Sequence, residues 1–144
     1  MSLESLPTKK VLTLEWARQI GDAALAAARE RQLDRIVVTV VDDAGVLMYL
    51  LRQDDAEPAA VDIGIAKARA AAIFRRATKH WKDTLLEGKT WVLGMPNMTP
   101  VEGGQPIVVD GRVLGGLGIA GASGALDTEI GTVALGVLGQ RSAG

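Results

Sequence analysis

The sequence predicts an α+β domain in which helices pack on an antiparallel sheet. Two pairs of apolar, β-branched runs each flank a short turn segment, which is the pattern of a β-hairpin. Three longer segments carry apolar residues at helical spacing. The order along the chain is helix, hairpin, helix, loop, hairpin, helix, and no internal repeat or linker interrupts it.

Length and composition limit the number of domains, the chemistry and the partners that this protein can have. We expect a single domain over residues 1–144, with residues 1–12 as a short extended leader. The absence of cysteine excludes disulfides and cysteine-based metal sites. A net charge of −1 gives no electrostatic footprint for nucleic acid. Without a signal-peptide core or a membrane-spanning run, we expect a cytoplasmic protein with no membrane partner. An apolar fraction of 48% in so short a chain favours a homo-oligomer.

The first half of the chain is predicted as a helix, a hairpin and a second helix. Thr13 is a suitable N-cap for a helix over Leu14–Gln32. Two strands, Arg35–Val41 and Val46–Leu51, follow, and their uniformly apolar character predicts burial on both faces. The second helix is predicted over Ala59–Thr78, after a loop rich in acidic residues.

The second half contains the most informative segment. Residues 79–98 are predicted as a short helical turn with loop. Strands over Pro106–Val109 and Val113–Ala120 flank Asp110-Gly111, a dipeptide typical of a type I′ turn because both central residues need positive φ. Four glycines lie in the second strand or directly after it, at positions 115, 116, 118 and 121, which marks close approach of a ligand, another backbone or a subunit. A closing helix is predicted over Asp127–Leu138, with Ser123 or Asp127 near its start.

Three stretches of the sequence together resemble the GlcG/HbpS-like family, once called DUF336 and related to the C-terminal domain of PduO-type proteins. They are VVDDAGVLMYLLRQDDA from Val40, IAKARAAAIF over Ile65–Phe74, and EGGQPIVVDGRVLGGLGIAGASG over Glu102–Gly124. The resemblance covers about residues 13–140 in the family's order. It implies a profilin- or PAS-like sandwich with a five-stranded antiparallel sheet, flanking helices, and assembly into dimers or larger oligomers up to octamers.

The same resemblance implies a small-molecule ligand, either haem or another tetrapyrrole or a corrinoid. In some members a histidine that ligates haem lies in the first helix, whereas Leu14–Gln32 contains none. His80 is the only histidine of the chain and therefore the only imidazole available to haem iron. We place it just past the end of the second helix, where the alternative is a surface histidine stabilised by the helix dipole.

Three residues are candidates for catalysis, namely Glu102, His80 and Lys67. Glu102 or His80 could act as a general base. Lys67, among alanines, could hold a substrate carboxylate, or it could simply extend its ammonium group into water. The backbone amides of Gly103 and Gly104 could stabilise an oxyanion.

Further residues are candidates for ligand binding. Trp81, Trp91 and Met95 could form the wall of a flat pocket or could merely cap the sheet. Asp54 could contact a ligand or serve the start of a helix, and Gly116 could allow close approach of a ligand. Gly116, Gly118 and Gly121 match a dinucleotide-binding pattern, but they fall within a strand instead of a turn, and we reject that interpretation. No spacing indicates a metal site.

Three functions remain open at this point. The first is a small-ligand-binding protein of the haem, tetrapyrrole or corrinoid class. The second is a cofactor-independent lyase, isomerase or hydratase that acts on a small organic acid or aromatic catabolite, since redox and metal motifs are missing. The third is an oligomeric accessory protein of a catabolic operon.

Overall fold

A computed structural model describes residues 1–139 of the chain. Four α-helices and four β-strands make up the fold, with three short 3₁₀ turns at residues 3–5, 90–94 and 136–138. The elements in chain order are α1 (Leu14–Glu30), β1 (Val37–Asp42), β2 (Leu47–Arg52), α2 (Ala59–Phe74), α3 (Thr78–Leu86), β3 (Gly104–Val109), β4 (Arg112–Ala120) and α4 (Gly124–Leu135). The predicted α+β class is confirmed.

The sheet of the described chain has four strands in the order β2-β1-β4-β3, and every pairing is antiparallel. The expectation of five strands was therefore wrong. The two strands of each hairpin pair with each other, and β1 then pairs with β4 to join the two hairpins in the centre. Both hairpins exist as predicted.

The turn between β3 and β4 has the predicted geometry. Val109 pairs with Arg112, so Asp110 and Gly111 alone form the turn. Their φ angles are 50° and 75°, both positive as a type I′ turn requires.

Helices cover both faces of the sheet. On one face, α1 and α4 pack against Val38 and Val40 of β1 and against alternate residues of β3 and β4. On the other face, α2 packs against Val37 and Val41 of β1. Burial on both faces is thus confirmed for β1, whereas β2, at the edge of the sheet, is only partly buried.

The segment after β2 differs from its prediction. One helix was expected over Ala59–Thr78, but α2 ends at Phe74 because Arg75 adopts left-handed backbone angles, φ 58° and ψ 35°. A separate helix, α3, then begins at Thr78. A left-handed residue at this position is a common way to end a helix.

The helix caps were predicted more closely. The Thr13 side chain accepts a hydrogen bond from the Trp16 amide at 3.2 Å, which confirms Thr13 as the N-cap of α1. Ser123 caps α4 in the same way through the Leu126 amide. Asp127 lies one turn inside that helix, so α4 begins before the predicted Asp127.

The leader is extended apart from the 3₁₀ turn at residues 3–5, and two ion pairs tie it to the domain. Lys9 contacts Asp43 in the β1–β2 turn at 2.6 Å, and Lys10 contacts Asp110 in the β3–β4 turn at 2.9 Å. No helix within residues 1–139 is both long enough and apolar enough to cross a membrane.

Candidate functional site

A buried polar cluster forms where α2, the end of β4 and the start of α4 meet. Lys67 of α2 is 3% exposed. Its Nζ donates to the Ile119 carbonyl at 2.9 Å and to Asp127 Oδ2 at 3.0 Å. Asp127 Oδ1 accepts from the Ala122 amide at 3.1 Å. The expectation that Lys67 either meets a ligand or reaches water did not anticipate this partner within the protein.

Two opposing effects act on the pKa of the Asp127 carboxyl. Burial raises its pKa above the ordinary value, because a charged carboxylate loses its hydration there. The nearby ammonium of Lys67 and the Ala122 amide act in the opposite direction. The buried pair links α2 to α4 and the end of β4, and it leaves the ammonium little contact with solvent.

Glu102 lies next to this cluster and is 8% exposed. Its Oε1 forms an ion pair with Lys82 of α3 at 2.5 Å, and its Oε2 accepts a hydrogen bond from Thr128 of α4 at 3.4 Å. The hydrogen bond from Lys82 lowers the pKa of Glu102, although burial opposes the change. Glu102 is thus an anion that joins α3 to α4, and its lowered pKa makes it a weaker general base.

Backbone packing accounts for the two glycines beside Glu102. A Cβ on Gly103 would lie 2.6 Å from the Ile119 carbonyl oxygen, and the φ of Gly103 is +122°. A Cβ on Gly104 would collide with the backbone carbonyl of Lys67. The Gly104 amide donates to Thr78 Oγ1 at 2.9 Å, so this predicted oxyanion donor already has an acceptor.

His80 lies in the first turn of α3, so its predicted position past a helix C-terminus was wrong. The ring is exposed, its Nε2 lies 2.9 Å from a guanidinium nitrogen of Arg76, and it meets the Trp81 ring edge-on at 4.7 Å. Trp81 also packs edge-on against Phe74 at 5.5 Å.

The other candidates for ligand binding are distributed over several places. Trp91 is 59% exposed in the 3₁₀ turn at residues 90–94, and Met95 follows it half-buried. Asp54 is exposed at a cavity of about 370 Å³ that also contains Arg29 and Arg52. Gly116 is buried beneath α2, where a Cβ would collide with the Ala68 carbonyl oxygen. Ligand roles for these residues stay predictions.

A groove that the sequence did not reveal lies between residues 8–13, the first turn of α1 and the β3–β4 hairpin. We call it the leader groove, and it consists of two adjoining cavities that share Lys10 and Leu114. The apolar compartment has a volume of about 380 Å³ and the basic compartment about 640 Å³. The apolar compartment is lined mainly by Val11, Leu12, Trp16, Val109, Leu114 and Leu138.

The basic compartment contains four cationic and two anionic side chains. They are Lys9, Lys10, Arg75, Arg112, Asp43 and Asp110. The two lysines are paired with the two aspartates, and the hydrogen bond from Lys9 lowers the pKa of Asp43. Arg75 contributes only a weaker electrostatic effect on Asp43. Within residues 1–139, the guanidinium groups of Arg75 and Arg112 form no side-chain hydrogen bond or ion pair.

Sequence reasoning missed this groove because its parts come from distant segments. The Asp110-Gly111 turn was found, but nothing in the sequence places Lys10 beside it, 100 residues away. Across residues 1–139 no group of three potential metal-ligating side chains is close enough to hold an ion.

Similarity to known proteins extends over most of the chain. A model of the family described as "Haem degrading protein HbpS-like" matches residues 12–135. The chain belongs to the HbpS-like family. GlcG of Escherichia coli K12 is 36% identical over 118 residues, which is 80% of this chain and 85% of GlcG.

Two solved structures extend the comparison to the fold. HbpS has a TM-score of 0.87 at 30% identity, covering 97% of this chain and 99% of HbpS. A complex of PduOC with haem has a TM-score of 0.79 at 27% identity, covering 88% of this chain and 94% of PduOC. The suggested family is thereby confirmed.

Proposed function

We propose that this protein binds a tetrapyrrole of the haem class in the leader groove. The observation that carries the proposal is the division of this groove into an apolar compartment and a basic compartment that adjoin. A haem is a flat apolar macrocycle with two carboxylates on one edge, so it needs both environments side by side. The HbpS-like family and the haem complex of PduOC support this class of ligand.

The apolar compartment suits the macrocycle. Trp16 is 40% exposed, so its indole is available to pack against a flat ring. Leu114 and Val109 belong to the β3–β4 hairpin, whose tight turn and strand pairing give the opposite wall a rigid frame. Each compartment falls within the size range of ordinary small-molecule sites.

The described residues that line the groove include no side chain that commonly ligates haem iron. No histidine, methionine, cysteine or tyrosine is among the described residues that line it. His80 belongs to the region of Thr78, which contacts Gly104 at the start of β3, whereas the groove lies at the other end of that strand. Six residues of strand span about 20 Å. We therefore propose that the protein recognises the macrocycle and its carboxylates, and that His80 does not ligate iron.

The same reasoning separates haem from a corrinoid. The side chains at the edge of a cobalamin-type corrin are neutral amides, whereas those of haem include carboxylates. The guanidinium groups of Arg75 and Arg112, which have no side-chain partner within residues 1–139, favour the anionic ligand. Haem-class tetrapyrroles are therefore the proposed ligand and corrinoids the alternative.

The contacts give the proton-transfer alternative weaker support. Glu102 and Lys67 both have partners within the protein and are largely buried. Their contacts join α2, α3, β4 and α4, which explains them without a substrate. Catalysis by Glu102, His80 or Lys67 stays a prediction, and Glu102→Gln with retained turnover on a candidate acid would contradict it for Glu102.

The proposal is tested by titrating the protein with haem and, separately, with iron-free protoporphyrin IX, following the Soret absorbance. We expect saturable binding of both, unchanged by His80→Ala. Trp16→Ala should weaken binding about tenfold, since loss of a packed aromatic side chain removes roughly 1.5 kcal/mol or more. Trp91→Ala removes an exposed tryptophan outside the groove and serves as the matched variant.

Two outcomes would contradict the proposal. Non-saturating absorbance with both ligands would show that the groove holds no tetrapyrrole. Weakening by Trp91→Ala or His80→Ala, with Trp16→Ala unaffected, would move the site to α3 and the segment that follows it.

A further inference from the structure

Within residues 1–139, the side chains that line the basic compartment of the leader groove have an excess of positive charge. Lys9 and Lys10 are each bound to an aspartate, at 2.6 and 2.9 Å. Arg75 and Arg112 line the same cavity without such a partner in residues 1–139. By contrast, the cavity beside Asp54 contains two arginines and three aspartates, so it has no excess of positive charge.

The end of α2 places Arg75 at this cavity. Its φ of 58° and ψ of 35° lie in the left-handed region, at the C-terminal end of α2. Glycine is the usual residue at such a position, since a side chain there is strained. Here the side chain is a guanidinium at the wall of the cavity.

Arg112 reaches the same cavity from a rigid element. It is the first residue of β4 and pairs with Val109 across the type I′ turn. The two guanidinium groups therefore come from the end of a helix and the end of a strand, both fixed by the fold. A planar guanidinium donates two parallel hydrogen bonds to a carboxylate, which a lysine ammonium cannot do.

We infer that Arg75 and Arg112 form a clamp for the carboxylate groups of an anionic ligand. The clamp requires a ligand with two carboxylates, or with one carboxylate shared between both arginines. Two sources fit this chemistry, the propionates of a tetrapyrrole and a small free dicarboxylic acid. The first source rests on the proposed function, whereas the second does not.

The test compares three probes, haem, haem dimethyl ester and succinate, each titrated by calorimetry. The variants are Arg75→Gln and Arg112→Gln, with Arg35→Gln as the matched control because Arg35 is exposed and lies outside the groove. We expect each groove variant to weaken haem binding about tenfold, which corresponds to about 1.4 kcal/mol. The unmodified protein should bind the ester about tenfold more weakly than haem. Arg35→Gln should leave the affinity for haem unchanged.

A further variant separates binding from folding. Arg75→Gly removes the guanidinium and also relieves the left-handed strain, so the protein should unfold at the same or a higher temperature while haem binding weakens. Equal affinity for haem and its ester, together with unchanged affinity in both glutamine variants, would overturn the clamp.

The remaining outcomes distinguish the clamp from the proposed function. If haem binds and its affinity is unchanged in Arg75→Gln and Arg112→Gln, the clamp is refuted but the tetrapyrrole proposal is not. Absence of haem binding, with arginine-dependent binding of succinate, refutes the tetrapyrrole proposal and supports the clamp for a free dicarboxylic acid.

Discussion

The ammonium group of Lys67 joins three elements of the fold through the Ile119 carbonyl and the Asp127 carboxylate. The sequence drew attention to Lys67 as a lysine among alanines, but it gave no sign of its partner. Asp127 resembled an ordinary acid at a helix start, because 60 residues separate it from Lys67. Such long-range pairs follow from tertiary packing, which local patterns do not encode.

Removal of this ammonium should destabilise the protein strongly. We expect Lys67→Met to lower the free energy of unfolding at neutral pH by about 3–5 kcal/mol, because it leaves a buried carboxylate unpaired. Urea unfolding measures this loss, and Lys89→Met, at an exposed ion pair with Glu87, should change stability by about 0.5 kcal/mol or less.

The loss should also depend on pH. Burial raises the pKa of Asp127, so an unpaired Asp127 takes up a proton readily in acid and loses its charge. The deficit of Lys67→Met should therefore shrink as the pH falls towards 4. A deficit that is small at neutral pH, or that grows in acid, would contradict the buried ion pair.

Glu102 should contribute the opposite pH dependence. Its pKa is lowered in the folded protein below the ordinary 4.5, chiefly by Lys82, so its contribution to stability is present above that value. The contribution is lost as the pH falls through the folded-state pKa. Lys82→Gln should therefore reduce the drop in unfolding free energy that accompanies acidification from about pH 6 to about pH 3. An equal drop in unfolding free energy in the unmodified protein and in Lys82→Gln would contradict the role of Lys82 in lowering the pKa of Glu102.

At the scale of elements, the sequence predicted the strands well and the helix boundaries less well. The Asp110-Gly111 signal located the second hairpin because its turn type demands those residues. The break between α2 and α3 was missed, since Arg75 is not a residue that normally marks a helix end. The expected fifth strand came from the family resemblance alone.

The glycines of β4 illustrate what a sequence pattern leaves open. In the sequence they indicate close approach of a ligand, another backbone or a subunit, and the structure identifies the neighbour of Gly116 and Gly118 as the backbone of α2. This contact sets the distance between the helix and the sheet.

Substitution at that contact should separate α2 from the sheet. We expect Gly116→Ala to lower the free energy of unfolding by about 3 kcal/mol, since the added methyl group collides with the Ala68 carbonyl and backbone must move. Gly94→Ala, where nothing lies within 4 Å, is the matched control and should have an effect of about 0.5 kcal/mol or less. Thermal unfolding measures both, and equal effects would contradict the close packing.

At the scale of the whole molecule, the leader groove shows why the proposed site could not be derived from sequence. Its walls come from the leader, the first turn of α1, the end of α2 and the β3–β4 hairpin. Each segment is ordinary by itself. The candidate residues Lys67 and Glu102 lie near the other end of β3, where their contacts with Asp127, Lys82 and Thr128 join the helices of the fold.

Exposed apolar side chains support the predicted homo-oligomer. Leu86, Trp91 and Leu93 are 74%, 59% and 61% exposed on α3 and the segment after it. Large apolar side chains that are this exposed favour an interaction surface. Light scattering coupled to size-exclusion chromatography should give a multiple of the 15.1 kDa chain mass. A monomer at that mass over a wide concentration range would contradict the prediction.

The central claim is that the leader groove binds a haem-class tetrapyrrole, and a crystal structure of the protein with protoporphyrin IX tests it most directly. We predict that the macrocycle packs against Trp16 and Leu114, with its carboxylates at Arg75 and Arg112. A macrocycle bound elsewhere, above all beside His80 and Trp81, would contradict the account.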